Sequence, residues 1–296
     1  MPDISTFVAI LTGGLVLGVL YSLMAFGLAL VWTTLGIFNF AHGAFIVLGA
    51  YIAWQVASPD ALGLGFLTGA AVSVLAMFAV GVLFQILLVK PFERQPNIVL
   101  LTVITTLAGA TVLTNLINVI WGPRSKQIAL PATGDLSLGF VRISANEGLM
   151  VVIVVLALAL LGWFLLRTPL GRSMRAVAQN REAAQLMGLN VPVLYAATFG
   201  LAAALAGLAG VFIGSIRFMT PSMGDDPLQK ALVVVILGGV ARFTSPVYAA
   251  FLVGLIEAFS TYFFGLYWTP AVLFGLMIAV LVVKPEGLFG RRERSV

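Results

Sequence analysis

Two ionisable side chains stand within apolar stretches of this chain, and they raise the first question of chemistry. Glu257 is the one carboxylate inside an apolar run, and His42 is the only histidine in 296 residues. An acid with a histidine partner is the raw material of a proton relay, and an intramembrane acid is a functional candidate by default. A single acid and a single histidine far apart in sequence make a poor relay, however. Glu257 serves equally as a structural group, neutral or paired with Arg242 or a backbone group, that fixes one helix against another. His42 reads as a hydrogen-bonding strut for the chain break it follows. One histidine and no cysteine exclude a His-rich or thiolate metal site and any disulfide, so no metal and no other cofactor is expected. None of the four lysines (Lys90, Lys126, Lys230, Lys284) follows a glycine, which removes the phosphate-binding G-x-x-x-x-G-K-[ST] loop. No H-E-x-x-H and no G-x-S-x-G occurs. The residue set supports no catalysis of its own.

The elements that must carry these groups are membrane helices. Hydrophobic residues make up 61% of the chain and charged ones 9%, against about 25% charged in soluble domains. The expected fold is all-α, a single transmembrane domain over residues 1–296 with about 8–9 spans and broken helices. Apolar runs fall at about 7–35, 40–57, 64–89, 97–121, 148–166, 193–216, 228–241, 246–264 and 267–283. The run 228–241 is too short to cross as a straight helix, so it is either a half-helix or is extended by its polar flanks. Lys90 and Arg94, then Arg167, Arg172, Arg175 and Arg181, then Lys284, Arg291, Arg292 and Arg294 mark one side, the cytoplasmic one. The opposite loops are nearly neutral. Parity leaves the N-terminus outside if 7–35 crosses fully, and inside if its first half lies along the interface. The net charge of +5 reflects this segregation and is no nucleic-acid signal. No cleavable signal peptide is expected, because the first apolar run follows Asp3 and exceeds signal length.

The longest polar segment, Arg167 to Pro192, cannot sit in the bilayer, since each of Arg172, Arg175, Arg181 and Glu182 would cost about 2.5–3.5 kcal/mol near its centre. Its composition predicts one cytoplasmic helix of roughly four turns, capped by Gly188 and stopped by Pro192. It is either a basic loop resting on anionic lipid or a docking helix for a soluble partner. Small alanine faces and the lack of an aromatic residue favour docking.

Two breaks interrupt the apolar pattern. In the first, Gly36 suits a helix end and Asn39 an N-cap for the next helix. In the second, Gly238 and Gly239 loosen one helix, Ser245 caps the next and Pro246 fits its first position. Broken membrane helices commonly mark a transporter's solute path, which nominates Asn39, Ala41, His42, Gly43, Ala44, Gly238 and Gly239. Small residues at helix-packing spacing (Gly14 with Gly18, Gly65 with Gly69, Gly210 with Gly214, and Ala203, Gly207 and Gly210 on one face) predict close helix contact. The external loop Gly122–Glu147 holds a strand-like Val141-Arg142-Ile143 and is either a lid on its own helices or a surface for an external protein.

Three stretches together resemble a known family: Gly36-Ile37-Phe38-Asn39-Phe40-Ala41-His42-Gly43 with Gly49-Ala50-Tyr51; Gly171-Arg172-Ser173-Met174-Arg175-Ala176 to Met187-Gly188-Leu189-Asn190; and Leu237-Gly238-Gly239 with Gly254-Leu255-Ile256-Glu257-Ala258. They are similar to the permease subunits of bacterial branched-chain amino-acid ABC transporters, more closely the shorter, H-type permease. The resemblance implies an inner-membrane importer subunit that pairs with a second related permease, two cytoplasmic ATPases and a periplasmic solute-binding protein, with no nucleic acid. It also implies that Gly171, Arg172, Arg175, Ala176, Asn180, Ala183, Ala184 and Gly188 belong to a coupling helix seated in an ATPase. The chain departs from the family pattern at Ala44, where an acid is frequent, and at Gly239–Pro246, where the usual glycine-rich G-G-x-G-S-x-x-G is altered. Both departures bear on the solute. The competing expectation is a passive channel for a small neutral solute such as urea, which needs no docking helix.

Overall fold

The computed structural model describes residues 3–93, 95–130, 134–138, 141–239 and 244–290. Arg94, Arg242, Arg291, Arg292 and Arg294, invoked above for orientation or for pairing with Glu257, lie outside the described residues. Eleven α-helices are described, in the order α1 (Ile4–Leu35), α2 (His42–Ala57), α3 (Phe66–Phe84), α4 (Ile98–Trp121), α5 (Ala145–Arg167), α6 (Pro169–Gln179), α7 (Arg181–Leu186), α8 (Val191–Ile216), α9 (Asp225–Gly238), α10 (Ser245–Phe264) and α11 (Thr269–Val283). The class is all-α apart from one hairpin, β1 (Asp135–Leu138) with β2 (Val141–Ser144), antiparallel with Leu138 opposite Val141. The segment 141–143, strand-like in sequence, lies in β2. Among the described residues six helices, one of them α3 with its π and 3₁₀ extension to Phe92, are long and apolar enough to cross a membrane. Apolar α2 and α11 are shorter, at 16 and 15 residues. The 228–241 run becomes α9, which draws in its polar flank from Asp225 yet has only 14 residues.

The chain divides into two compact units, one of Met1–Ala29, Ala132–Leu156 and Gln229–Val296, the other of Leu30–Pro131 and Ala157–Leu228. The second is built on α8, buried along most of its length, with glycines where neighbouring backbones touch. A methyl group at Gly49 would overlap the Cα of Gly207, one at Gly210 the carbonyl oxygen of Ile46, and one at Gly81 the carbonyl oxygen of Phe199. Ser73 closes this seam by donating to the Gly49 carbonyl at 2.8 Å. In the first unit, Gly14 and Gly18 of α1 meet the Cα atoms of Leu255 and Phe251 on α10. The expected packing pair Gly65 and Gly69 holds only for Gly69, which lies against Ala53 and Ala57. Gly65 touches nothing and stands just before α3 with φ +84°, so its glycine serves the backbone turn.

Segment Gly122–Leu130 is a lid on its own unit. Lys126 and Met219 exchange backbone hydrogen bonds at 3.1 and 2.8 Å, the Ile128 amide donates to Gly214 at 2.9 Å, and the Lys126 ammonium sits 3.6 Å over the Trp54 ring.

Candidate functional site

At the first break, α1 stops where Gly36 takes φ +72°, and a short non-helical turn leads to α2. Asn39 does not occupy the N-cap; Ala41 does, without a side-chain cap bond. The Asn39 side chain acts two residues ahead, its Oδ1 accepting from the Ala41 amide at 3.0 Å, while its carbonyl accepts from the His42 amide at 3.2 Å. This short-range turn competes with the helix for the same donors. Asn39, Ala41 and His42 are fully buried, Gly43 and Ala44 nearly so. Asn39 Nδ2 has no hydrogen-bond partner among the described residues. Gly43 packs backbone to backbone on Gly224, immediately before α9, and a Cβ on either would strike the other's carbonyl. The turn is tied to α4 as well, through the Phe40 amide and Thr106 Oγ1 at 3.4 Å.

At the second break, Gly238 and Gly239 terminate α9 rather than loosen it. Gly239 has φ +74° and lies against the backbone of Glu286 and Gly290, and Gly238 packs on Pro246 and Ala249. The Leu288 amide donates to the Leu237 carbonyl at 2.7 Å, so the segment after α11 folds onto the end of α9. Thr244, not Ser245, holds the cap position of α10, with Pro246 in the first turn.

Glu257 is paired. Its Oε1 accepts from the Lys230 ammonium at 2.8 Å and its Oε2 from the Tyr21 hydroxyl at 2.6 Å. The Lys230 ammonium also stands 5.5 Å from the centre of the Tyr21 ring. The carboxylate is 3% exposed, so the cost of burying it is met by two short, charge-assisted contacts. One residue each from α1, α9 and α10 meets here. Sequence reasoning misses both Lys230 and Tyr21 as partners, because nothing in a linear pattern brings residue 21 beside residue 257. Lys230 carries the one available signal, a lysine at the edge of an apolar run that must find an acid.

The polar segment is two helices, not one. Thr168 caps α6, its hydroxyl accepting from the Gly171 amide at 3.1 Å with Pro169 next in line. Asn180 then ends α6 in an extended conformation and caps α7, its Oδ1 accepting from Ala183 at 2.9 Å. The high helix propensity on both sides hides this local competition. Gly188, at φ +82°, ends the segment as expected, whereas Pro192 opens α8 in its first turn. Gly171, Met174 and Val177 bury one face of α6, and a Cβ on Gly171 would meet the backbone of Phe164 and Leu165. Arg175 donates from Nε to the Leu165 carbonyl at 3.0 Å, a cation on the carbonyl end of α5. Ala184 is buried, while Arg172, Ala176, Asn180 and Ala183 are exposed. The expectation of small faces only is corrected at the tip, where Leu186 and Met187 are 89% and 83% exposed.

The fold and these sites define a multi-pass helical membrane protein with a folded polar appendage and a buried, paired carboxylate. Residues 10–281 match the family described as "Branched-chain amino acid transport system / permease component", and the chain belongs to that family. Among its relatives, the high-affinity branched-chain amino acid transport system permease protein BraD of Pseudomonas aeruginosa is 31% identical over 99% of both chains. LivH of Escherichia coli K12 is 29% identical, covering 95% of this chain and 94% of the relative. The "Probable branched-chain amino acid transport permease protein LivH" of Methanocaldococcus jannaschii is 28% identical, covering 95% and 92%. A chain of PsaBC from Streptococcus pneumoniae in complex with Fab aligns at 14% identity over 93% of this chain and 95% of that one, with a TM-score of 0.48, too low to speak for a shared fold. The chain is a transport subunit and not an enzyme.

Proposed function

We propose that this chain forms, across its whole length, the membrane pathway of an ATP-driven importer for branched-chain amino acids in the bacterial inner membrane. Its partners are a second, related permease, two cytoplasmic ATPases and a periplasmic solute-binding protein. The six long helices and the two shorter apolar ones, α2 and α11, make eight crossings, with α9 as a half-helix. The broken elements at Asn39–Ala44 and Gly238–Gly239 border the path. The observation that carries the reading is the appendage α6–α7: a passive channel has no use for a capped helix pair with Leu186 and Met187 uncovered at its tip. Leaving two large apolar side chains exposed costs burial energy, on the order of 1.5–3 kcal/mol each, and an apolar cleft on an ATPase recovers it.

The test is reconstitution of the five-component transporter in proteoliposomes with labelled leucine, isoleucine and valine, and with urea as the contrasting solute. ATP-dependent uptake of the amino acids is expected. Leu186→Asp with Met187→Asp should leave the permease folded and inserted, yet cut both its co-elution with the ATPase and uptake by at least about tenfold, the loss of roughly 1.4 kcal/mol or more. Full uptake by the double variant would remove the docking role, and urea flux without ATP would favour the channel.

A further inference from the structure

We propose that the exposed face of α4 carrying Asn115 is the surface on which the second permease packs inside the membrane. The proposal rests on the transport reading above and adds to it the helix that makes the contact and the side chain that anchors it.

α4 lies wholly in the second unit. Thr102, Thr106, Gly109 and Ile117 are its buried residues, and of the six long helices it is the least buried. On its other side Leu100, Ile104, Leu107, Thr111 and Asn115 are exposed, and their spacing of three and four residues sets them in one stripe. Thr111 is satisfied on its own helix, since its hydroxyl donates to the Leu107 carbonyl at 3.0 Å. Asn115 is not. Its amide nitrogen donates to the Thr111 carbonyl at 2.8 Å, which leaves one N–H and the side-chain oxygen without a partner among the described residues. Ala108, exposed beside Thr111, keeps the stripe low enough for another backbone to approach.

Depth decides what can meet that amide. α4 has 24 residues and is about 36 Å long, against about 30 Å of hydrocarbon. Asn115 lies about 9 Å short of the helix end at Trp121, so a centred helix holds it inside the apolar layer. Its single methylene is too short to carry the amide to the headgroups, as the long stems of lysine and arginine do. Lipid supplies neither donor nor acceptor. α3, in the same unit, shows a lipid-facing pattern: after Thr68 in its first turn every exposed residue, Leu75 and Phe78 among them, is apolar, and its Ser73 is buried. A water-filled path would be polar along its length, whereas Asn115 is flanked by Val112, Leu116 and Val119, exposed and apolar. The neighbour is therefore protein with a polar group at this one level. Among the partners of the transport reading, only the second permease has helices at this depth. A side-chain amide offers a donor and an acceptor together, so a facing helix that bears an asparagine, glutamine, serine or threonine side chain completes it.

The test places the photo-crosslinker benzoylphenylalanine at Leu107 or at Val112, beside the stripe, and at Leu75 on α3, in the transporter assembled with both permeases, both ATPases and the solute-binding protein. Irradiation should join positions 107 and 112 to the second permease, identified by mass spectrometry, and position 75 to lipid. Asn115→Leu should weaken pairing of the two permeases in detergent by about three- to tenfold, the reach of one interhelical hydrogen bond, and leave the melting temperature of the isolated chain unchanged. Asn115→Gln should keep most of the pairing. Adducts of 107 and 112 found only on lipid, or only within the same copy of this chain, would overturn the proposal, as would an Asn115→Leu variant that pairs as tightly as the parent. ATP-dependent uptake by the parent, measured alongside, separates the failures. Uptake without permease adducts sinks only this interface, whereas a chain that co-elutes with no second permease and takes up no amino acid sinks the transport reading with it.

Discussion

At the scale of single residues, Glu257 shows how a buried charge is held and how much its release would cost. Both carboxylate oxygens are engaged, by Lys230 and Tyr21. Removing one member of a buried pair typically costs about 3–5 kcal/mol, because the other is left uncompensated, while removing both and filling the space is often neutral. Glu257→Leu should therefore lower the thermal stability of the purified subunit by about that amount, and Lys230→Met on top of it should recover most of the loss. Glu257→Gln keeps its shape and the Tyr21 contact, so it should assemble and retain substantial uptake. A Gln variant that assembles fully and transports nothing would show that the charge itself works in transport. The pairing of Glu257 is legible from cost alone, since a lone acid in an apolar run must find a donor. The donor is not legible: the nearest candidate, Arg242, lies fifteen residues earlier, and the true partners come from helices whose neighbours only the fold decides.

Glycine seams make the same point for elements. The small residues of α8 are readable as a packing face because the spacing of three and four is a property of the helix. Which helix each glycine meets is not readable: Gly207 lies between Gly49 of α2 and Met77 and Ser73 of α3, Gly210 meets α2, and Gly214 is flanked by Ile128 of the lid and by Met219, which the lid pairs with. Capping shows a second limit. Propensity summed over Met174–Met187 predicts one helix, yet a single Asn180 side chain, by binding the Ala183 amide, divides it in two. The glycine seam gives a paired prediction. Gly210→Ala would set its methyl on the Ile46 carbonyl, where neither backbone can yield, so it should cost roughly 1–3 kcal/mol. Gly162→Ala, in the middle of α5 with nothing within 4 Å of the new methyl, should be neutral or stabilising by about 0.5–1 kcal/mol. Thermal unfolding of the two variants in detergent, followed by size-exclusion fluorescence, reads both signs. Equal melting temperatures would mean that the α2–α8 contact is looser than its geometry implies.

For the whole molecule, the open question from sequence is the side on which the chain begins, and continuity of α1 answers it within the proposed topology. α1 is one uninterrupted helix of 32 residues, about 48 Å long, which exceeds the bilayer core and leaves no bend for a first half lying along the interface. Its end at Leu35 leads into the Asn39 turn, about 12 Å inside the start of α4. α4 begins after Lys90, on the basic side. Running back along α1 from that depth crosses the remaining hydrocarbon and brings Ile4 out on the opposite side. The other end of the chain follows α11 past Lys284 and returns to the basic side. An outside N-terminus and an inside C-terminus need an odd number of passes, so α9 and the segment that leads into it carry the chain across once in addition to the eight helices. Single cysteines check this directly, given the cysteine-free background. In intact spheroplasts, Ser5→Cys should react with an impermeant maleimide, whereas Gln185→Cys, on exposed α7, should react only after permeabilisation. If Ser5→Cys also needs permeabilisation, α1 does not cross fully; the number of spans then changes by one, and the early helices must be reassigned even though the basic loops keep their side.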